Sequence, residues 1–128
     1  MRQIFLILVL IICVTIAKVF ERCEFAKAAK ENGFNNLSMW TCIAHQESRL
    51  NSESRDGDNY GIFQISSEAW CGRGHKCEIS CESLLDSDLT NDFLCAMTIY
   101  RTSGFKPWSS SKFCNNHSGI WLKNCSLY

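Results

Sequence analysis

The sequence predicts an α+β fold in two lobes, a helical lobe and a small antiparallel sheet lobe, with a cleft between them and four disulfides. Three observations carry this reading. Helix-period patterns occupy both ends of the chain, a block of turn residues and strand formers over 51–67 separates them, and eight cysteines are spread along the part that folds.

Residues 1–17 are set apart from that fold. Met1-Arg2-Gln3 gives a short basic start, Ile4 to Ile16 is almost wholly apolar, and Thr15-Ile16-Ala17 has the small residues of a cleavage site. The apolar run is shorter than the roughly 20 residues a membrane span needs, so it reads as a signal peptide and not an anchor. A mature chain of 111 residues, 18–128, is then expected outside the cell as one domain. Loss of the leader removes Arg2 and Cys13. Twelve basic residues then face thirteen acidic ones, a net charge of −1 with histidines neutral. That balance gives no electrostatic reason to bind nucleic acid or a membrane surface.

The remaining cysteines are Cys23, Cys42, Cys71, Cys77, Cys81, Cys95, Cys114 and Cys125. An even count in a short exported chain reads as disulfides, although spacing alone leaves about 105 pairings open. No Cys-x-x-Cys pair or Cys/His cluster occurs, so no metal is expected. Sequons for N-glycosylation begin at Asn36, Asn116 and Asn124.

In chain order, Arg22 to Lys30 is rich in Glu, Ala and Lys, carries an apolar stripe through Phe25 and Ala29, and ends at Asn32-Gly33; it predicts a first helix. Leu37 to Glu47 predicts a second, with Trp40, Ile43 and Ala44 on its inward face and Glu47 at its end. Asp58 to Ile65 reads as one strand, preceded by Asp56-Gly57 as a hairpin turn. Trp70 to Cys81 holds three cysteines and little apolar material, so crosslinks should hold it. Leu89 to Thr102 predicts a third helix, with Leu89, Phe93, Leu94, Met97 and Tyr100 or Arg101 at helical spacing. Pro107 and the serines at 109–111 read as a break, and Gly119 to Lys123 as a last short helical segment. A carboxylic acid at a helix end, facing a polar strand across a groove, suits acid catalysis on a glycan.

Several stretches together carry a family resemblance. They are Lys18-Val19-Phe20-Glu21-Arg22-Cys23-Glu24, Cys42 followed by Glu47-Ser48, Tyr60-Gly61-Ile62-Phe63-Gln64-Ile65, Trp70-Cys71, Cys77-x-x-x-Cys81 with Leu84-Leu85-Asp86-Ser87-Asp88-Leu89-Thr90, and Cys95-Ala96. The mature chain resembles the c-type lysozymes and α-lactalbumins, most closely the insect members. The resemblance implies a lysozyme-like fold with pairs Cys23–Cys125, Cys42–Cys114, Cys71–Cys81 and Cys77–Cys95. It implies a secreted, monomeric β-1,4 glycosidase (a muramidase) whose partner is bacterial cell-wall glycan, with no cofactor. Its mechanism is the two-carboxylate scheme for which lysozyme is the standard worked example.

On that resemblance Glu47 matches the general acid and Trp108 the apolar wall that keeps it protonated. Asn59, an amide, stands where the second carboxylate belongs. An amide cannot be a nucleophile and brings no charge to a cationic transition state, although it can still hydrogen-bond a water. Asp56 and Asp58 lie nearby in a hairpin shorter than the family norm, and strand alternation turns Asp58 away from Asn59. Tyr60, Gln64 and Trp70, with Trp108, match groove residues that would bind substrate. Other positions depart from the pattern: Ala69 replaces a stacking aromatic, Ser66 replaces an asparagine, the serines at 109–111 replace a second tryptophan, and the Cys71–Cys77 loop is short. The expected function is hydrolysis of peptidoglycan at a reduced rate, for antibacterial defence or digestion. The alternative is an inactive glycan-binding or regulatory relative. Asp86 and Asp92 match two ligands of the family's calcium loop, with Asn91 in place of a third carboxylate; capping of the third helix explains the same acidic residues. His45, His75 and His117 are isolated, and His45 is expected at the surface.

Overall fold

The computed structural model describes residues 18–127. The expected signal peptide, 1–17, lies outside the described residues. The order is α1 (Arg22–Glu31), α2 (Leu37–Ser48), β1 (Arg55–Asp56), β2 (Asn59–Tyr60), β3 (Ile65–Ser66), a 3₁₀ turn at Cys81–Leu84, α3 (Thr90–Ser103), α4 (Ser111–Asn116) and a last 3₁₀ turn at Ser118–Ile120. Among the described residues no helix is long and apolar enough to cross a membrane.

The first two helices match their sequence patterns. In α1 the carboxylate of Glu24 accepts from the Glu21 backbone N–H at 3.3 Å, satisfying a donor the helix start leaves free. Asn32 closes its far end, and Gly33 follows with φ +82°. The second helix is buried on more than one face: Leu37, Met39, Thr41 and Cys42 are inside with Trp40, Ile43 and Ala44. It is the central strut of the core. Trp40 is its hub, with ring centroids 4.9 Å from Phe34, 4.9 Å from Phe105, 5.3 Å from Trp108 and 5.7 Å from Phe63, all edge-on.

The sheet is smaller than the sequence suggests. Its order is β1-β2-β3, antiparallel throughout, with Arg55 opposite Tyr60, Asp56 opposite Asn59, and then Asn59 opposite Ser66 and Tyr60 opposite Ile65. The single strand expected from Asp58 to Ile65 is replaced by two short strands joined through a turn. Gly61 and Gln64 both take positive φ, +79° and +50°, and a strand cannot pass through either. The adjacent Ile62 and Phe63 are both fully buried, which strict alternation would forbid. The register also makes Gly57-Asp58 the two-residue hairpin loop, in place of Asp56-Gly57; Gly57 supplies the positive φ that its first position needs.

In α3 the buried stripe is Asp92, Phe93, Cys95, Ala96 and Ile99. Leu94, 58% exposed, and Tyr100 face outward, against the pattern expected from their spacing. Pro107, Ser109 and Ser110 do fall in the break between α3 and α4, while Ser111 opens α4, a helix the sequence reading did not include, and the segment after it winds as a short 3₁₀ turn before Trp121.

All four disulfides pair as the resemblance implied: Cys23–Cys125, Cys42–Cys114, Cys71–Cys81 and Cys77–Cys95. The first two close separations of 102 and 72 residues, and each constrains the unfolded chain by roughly 2–4 kcal/mol. Arg22 reinforces the first by donating to the carbonyls of Trp121 and Lys123, both at 2.8 Å. Cys71–Cys81 closes the apolar-poor 70–81 segment on itself and Cys77–Cys95 ties it to α3, as its composition required.

Candidate active site

Glu47 occupies the penultimate position of α2, which ends because Arg49 and Leu50 both adopt left-handed backbone, φ +53° and +62°. The next residue, Ser48, is buried, and its hydroxyl lies 2.7 Å from the Ile62 carbonyl and 2.9 Å from that of Ala44. This contact fixes the end of the helix against the turn between β2 and β3. Glu47 therefore stands at a set place relative to the sheet.

Glu47, Asn59, Gln64 and Trp108 share one cavity of about 250 Å³. Asp56, Pro107 and Ser109 complete its wall. Four residues that lie far apart in the sequence are thus brought together. Tyr60 and Trp70 do not line it. Tyr60 is buried, and the Arg55 guanidinium lies 4.4 Å over its ring on the sheet face opposite to Asn59. Trp70 is half-buried and packs against the core, with the Lys76 ammonium 5.8 Å from its ring. Gln64 reaches the cavity, but its side-chain amide donates to the carbonyls of Gly61 at 2.8 Å and Ser54 at 3.0 Å. That bracing holds the turn in shape.

Half-buried, Glu47 has its carboxyl pushed above the ordinary carboxylate range by desolvation, against a smaller opposing pull from the Ser110 hydroxyl. Ser110 Oγ donates to Glu47 Oε1 at 2.9 Å. Trp108, almost wholly buried, is clamped by its indole N–H donating to the Phe63 carbonyl at 2.9 Å. A carboxyl whose pKa is raised by burial is better suited than an ordinary one to donate a proton to a bound group. Asn59 is exposed and lines the same cavity.

Sequence reasoning missed Ser110, having taken the serines at 109–111 as a break. A signal was available in the pairing implied for Cys42 and Cys114. That bond lies five residues before Glu47 and four after Ser110, so it draws the start of α4 to the end of α2. His45, expected at the surface, is partly buried. Its ring packs 4.8 Å from Trp121, its Nδ1 is buried without a partner, and burial followed by the nearby Arg49 charge lowers its pKa.

The acidic residues before α3 are engaged in local caps. Asp86 accepts from the Asp88 N–H and Asp88 from Thr90, both as local caps. Asp92 is buried in the core, and among the described residues no three acidic, histidine or cysteine side chains converge to hold a metal. Its two oxygens lack well-formed hydrogen bonds. Burial pushes the carboxyl up to about 8, with partial relief from its own amide and that of Ile62 and a further push from Asp86 and Asp88.

A disulfide-braced helical lobe beside a small three-stranded sheet, with a glutamic acid on the helical side and polar strand residues opposite, is the architecture of the lysozymes. The comparisons agree with it. Residues 18–125 match the model of the C-type lysozyme/alpha-lactalbumin family, and the chain belongs to that family. It is 34% identical over 148 residues to lysozyme C-3 of Sus scrofa, covering 99% of this chain and all of that protein. Lysozyme c-1 of Anopheles gambiae is 36% identical over 132 residues, covering 94% of this chain and 93% of the relative. The crystal structure of canine milk lysozyme superposes with a TM-score of 0.78 at 29% identity, covering 86% of this chain and all of that one.

Proposed function

We propose that the protein is a secreted lysozyme-like glycoside hydrolase that cleaves β-1,4 linkages of bacterial peptidoglycan. The observation that carries this reading is Glu47: a half-buried carboxyl with a raised pKa, held between Ser110 and the Trp108 wall at the edge of a polar cavity. Glu47 gives its proton to the glycosidic oxygen as the bond to the anomeric carbon breaks. Asn59 hydrogen-bonds substrate or water, and Gln64 and Trp108 shape the groove, with Tyr60 and Trp70 supporting it. Residues 1–17 direct export and are removed. Near-neutral net charge suits digestion of wall fragments better than electrostatic attack on intact anionic walls.

The test is release of reducing ends from insoluble peptidoglycan by purified protein, with the products identified by mass. Cleavage by the wild type that Glu47→Gln removes supports the reading. A wild type that binds peptidoglycan yet yields no reducing ends at any pH overturns it in favour of a binding role. A clear wild-type rate that survives Glu47→Gln overturns the assignment of the acid.

A further inference from the structure

We propose that Asp56 is the second catalytic carboxylate of this enzyme, supplied from β1 in place of the residue at Asn59 on β2. The proposal rests on the glycosidase reading above and names the group that completes its site.

The geometry comes from the sheet register. Asp56 and Asn59 are direct partners across the β1–β2 pair. Directly opposed residues of an antiparallel pair project from the same face, with Cα atoms about 4.5–5.5 Å apart. The neighbouring pair, Arg55 and Tyr60, must then project from the other face, and it does: the guanidinium covers the buried ring. The face that carries Asn59 into the cavity therefore carries Asp56 with it, and both line the same space as Glu47. Asp58, the other nearby carboxylate, falls in the Gly57-Asp58 loop and does not line the cavity.

Local interactions leave Asp56 available. Its neighbour Arg55 is turned away, over Tyr60 and toward the Gly57 carbonyl at 3.2 Å. Asp56 thus faces a neutral amide across the strand pair, and no cation lines the cavity with it. Of the seven cavity residues only Glu47 and Asp56 can carry negative charge, and Glu47 is the one whose pKa burial raises. Two carboxyls in one site, one desolvated and one open to water, is the division of labour that acid and base roles require.

In the step this permits, Glu47 protonates the glycosidic oxygen as the bond to the anomeric carbon breaks, and the bonding pair stays with that oxygen. A water, oriented by the Asn59 amide, adds to the anomeric carbon and gives a proton to Asp56. Solvent then carries a proton from Asp56 to Glu47, and the net change is addition of one water across the bond.

The experiment uses protein made from the full reading frame in a secretory host, with reducing-end release from insoluble peptidoglycan as the assay. The variants are Asp56→Asn, Asn59→Asp, the exchanged pair Asp56→Asn/Asn59→Asp, Glu47→Gln, and Asp58→Asn as control. Far-ultraviolet circular dichroism establishes that each folds. Asp56→Asn should lower kcat by about 100-fold or more with KM changed by less than about threefold, and the exchanged pair should recover a large part of the loss. Asp58→Asn should keep the wild-type rate. If Asp56→Asn keeps the wild-type kcat while Glu47→Gln abolishes it, the proposal is overturned and the glycosidase reading stands. If wild type is inert, both fall, and activity in Asn59→Asp alone would show that the charge is needed on β2.

Discussion

Ser110 donates a hydrogen bond to Glu47 Oε1 at 2.9 Å, the one side-chain partner of this carboxyl among the described residues. The bond favours the ionised form and so opposes burial, which favours the protonated one. Ser110→Ala removes the opposing influence. The Glu47 pKa should rise further, and the alkaline limb of the pH–rate profile for kcat should move to higher pH. A limb that stays in place, or moves down, would show that the bond does not tune the acid.

Trp108→Phe should act in the reverse sense. It deletes the indole N–H that satisfies the buried Phe63 carbonyl, a loss of about 1–3 kcal/mol in stability. The smaller ring admits water beside Glu47, so desolvation weakens and the alkaline limb should move to lower pH. Chemical unfolding and the pH–rate profile together separate the two effects.

Gly61→Ala tests how closely the sheet approaches α3. A Cβ at this position would lie 2.2 Å from the Leu84 carbonyl oxygen and 2.7 Å from Asp92 Oδ1, and φ is +79°. Backbone clash and a disfavoured conformation combine, and the cost should reach about 3 kcal/mol or more. Calorimetry should show a Tm lower by roughly 10 °C.

Asp92 should make stability fall as pH rises. Its folded-state pKa, about 8, lies above the ordinary value of 3.8, so the folded chain keeps a proton that the unfolded chain releases. The contribution is fully present below pH 3.8 and is lost as pH climbs toward 8. Asp92→Asn, neutral at every pH, should remove this slope and be more stable than wild type at pH 8, with the advantage shrinking toward pH 4. Urea unfolding at several pH values measures it, and parallel pH dependences in the two proteins would contradict the assignment.

Helices α1 to α3 were legible because apolar periodicity and end signals agreed, and the disulfide pairing because the cysteine order resembles a known family. The strand was misread where the sequence already held a warning: Ile62-Phe63 are adjacent and apolar, and alternation cannot bury both. Helix α4 was hidden by Pro107 and three serines, residues that favour helix starts as much as breaks. In α3, Leu94 scored as core by type, whereas small Ala96 and the carboxylic acid Asp92 are among the buried residues. Contacts made by the tertiary fold decided those positions. At the candidate site Glu47 and Asn59 were visible in the sequence. Asp56 was visible only as a neighbouring carboxylate, because the face on which it emerges depends on where the hairpin turns.

The Cys42–Cys114 bond has a consequence for how such a site can change over evolutionary time. It joins the helix bearing Glu47 to the helix opened by Ser110, so the Glu47 half of the cavity is welded into the core. The opposite half rests on a hairpin of two-residue strands with no crosslink of its own. One half is a fixture and the other an interchangeable fitting. Shortening or exchanging residues in that hairpin leaves the welded half intact, so its side chains can be replaced without disturbing the placement of Glu47.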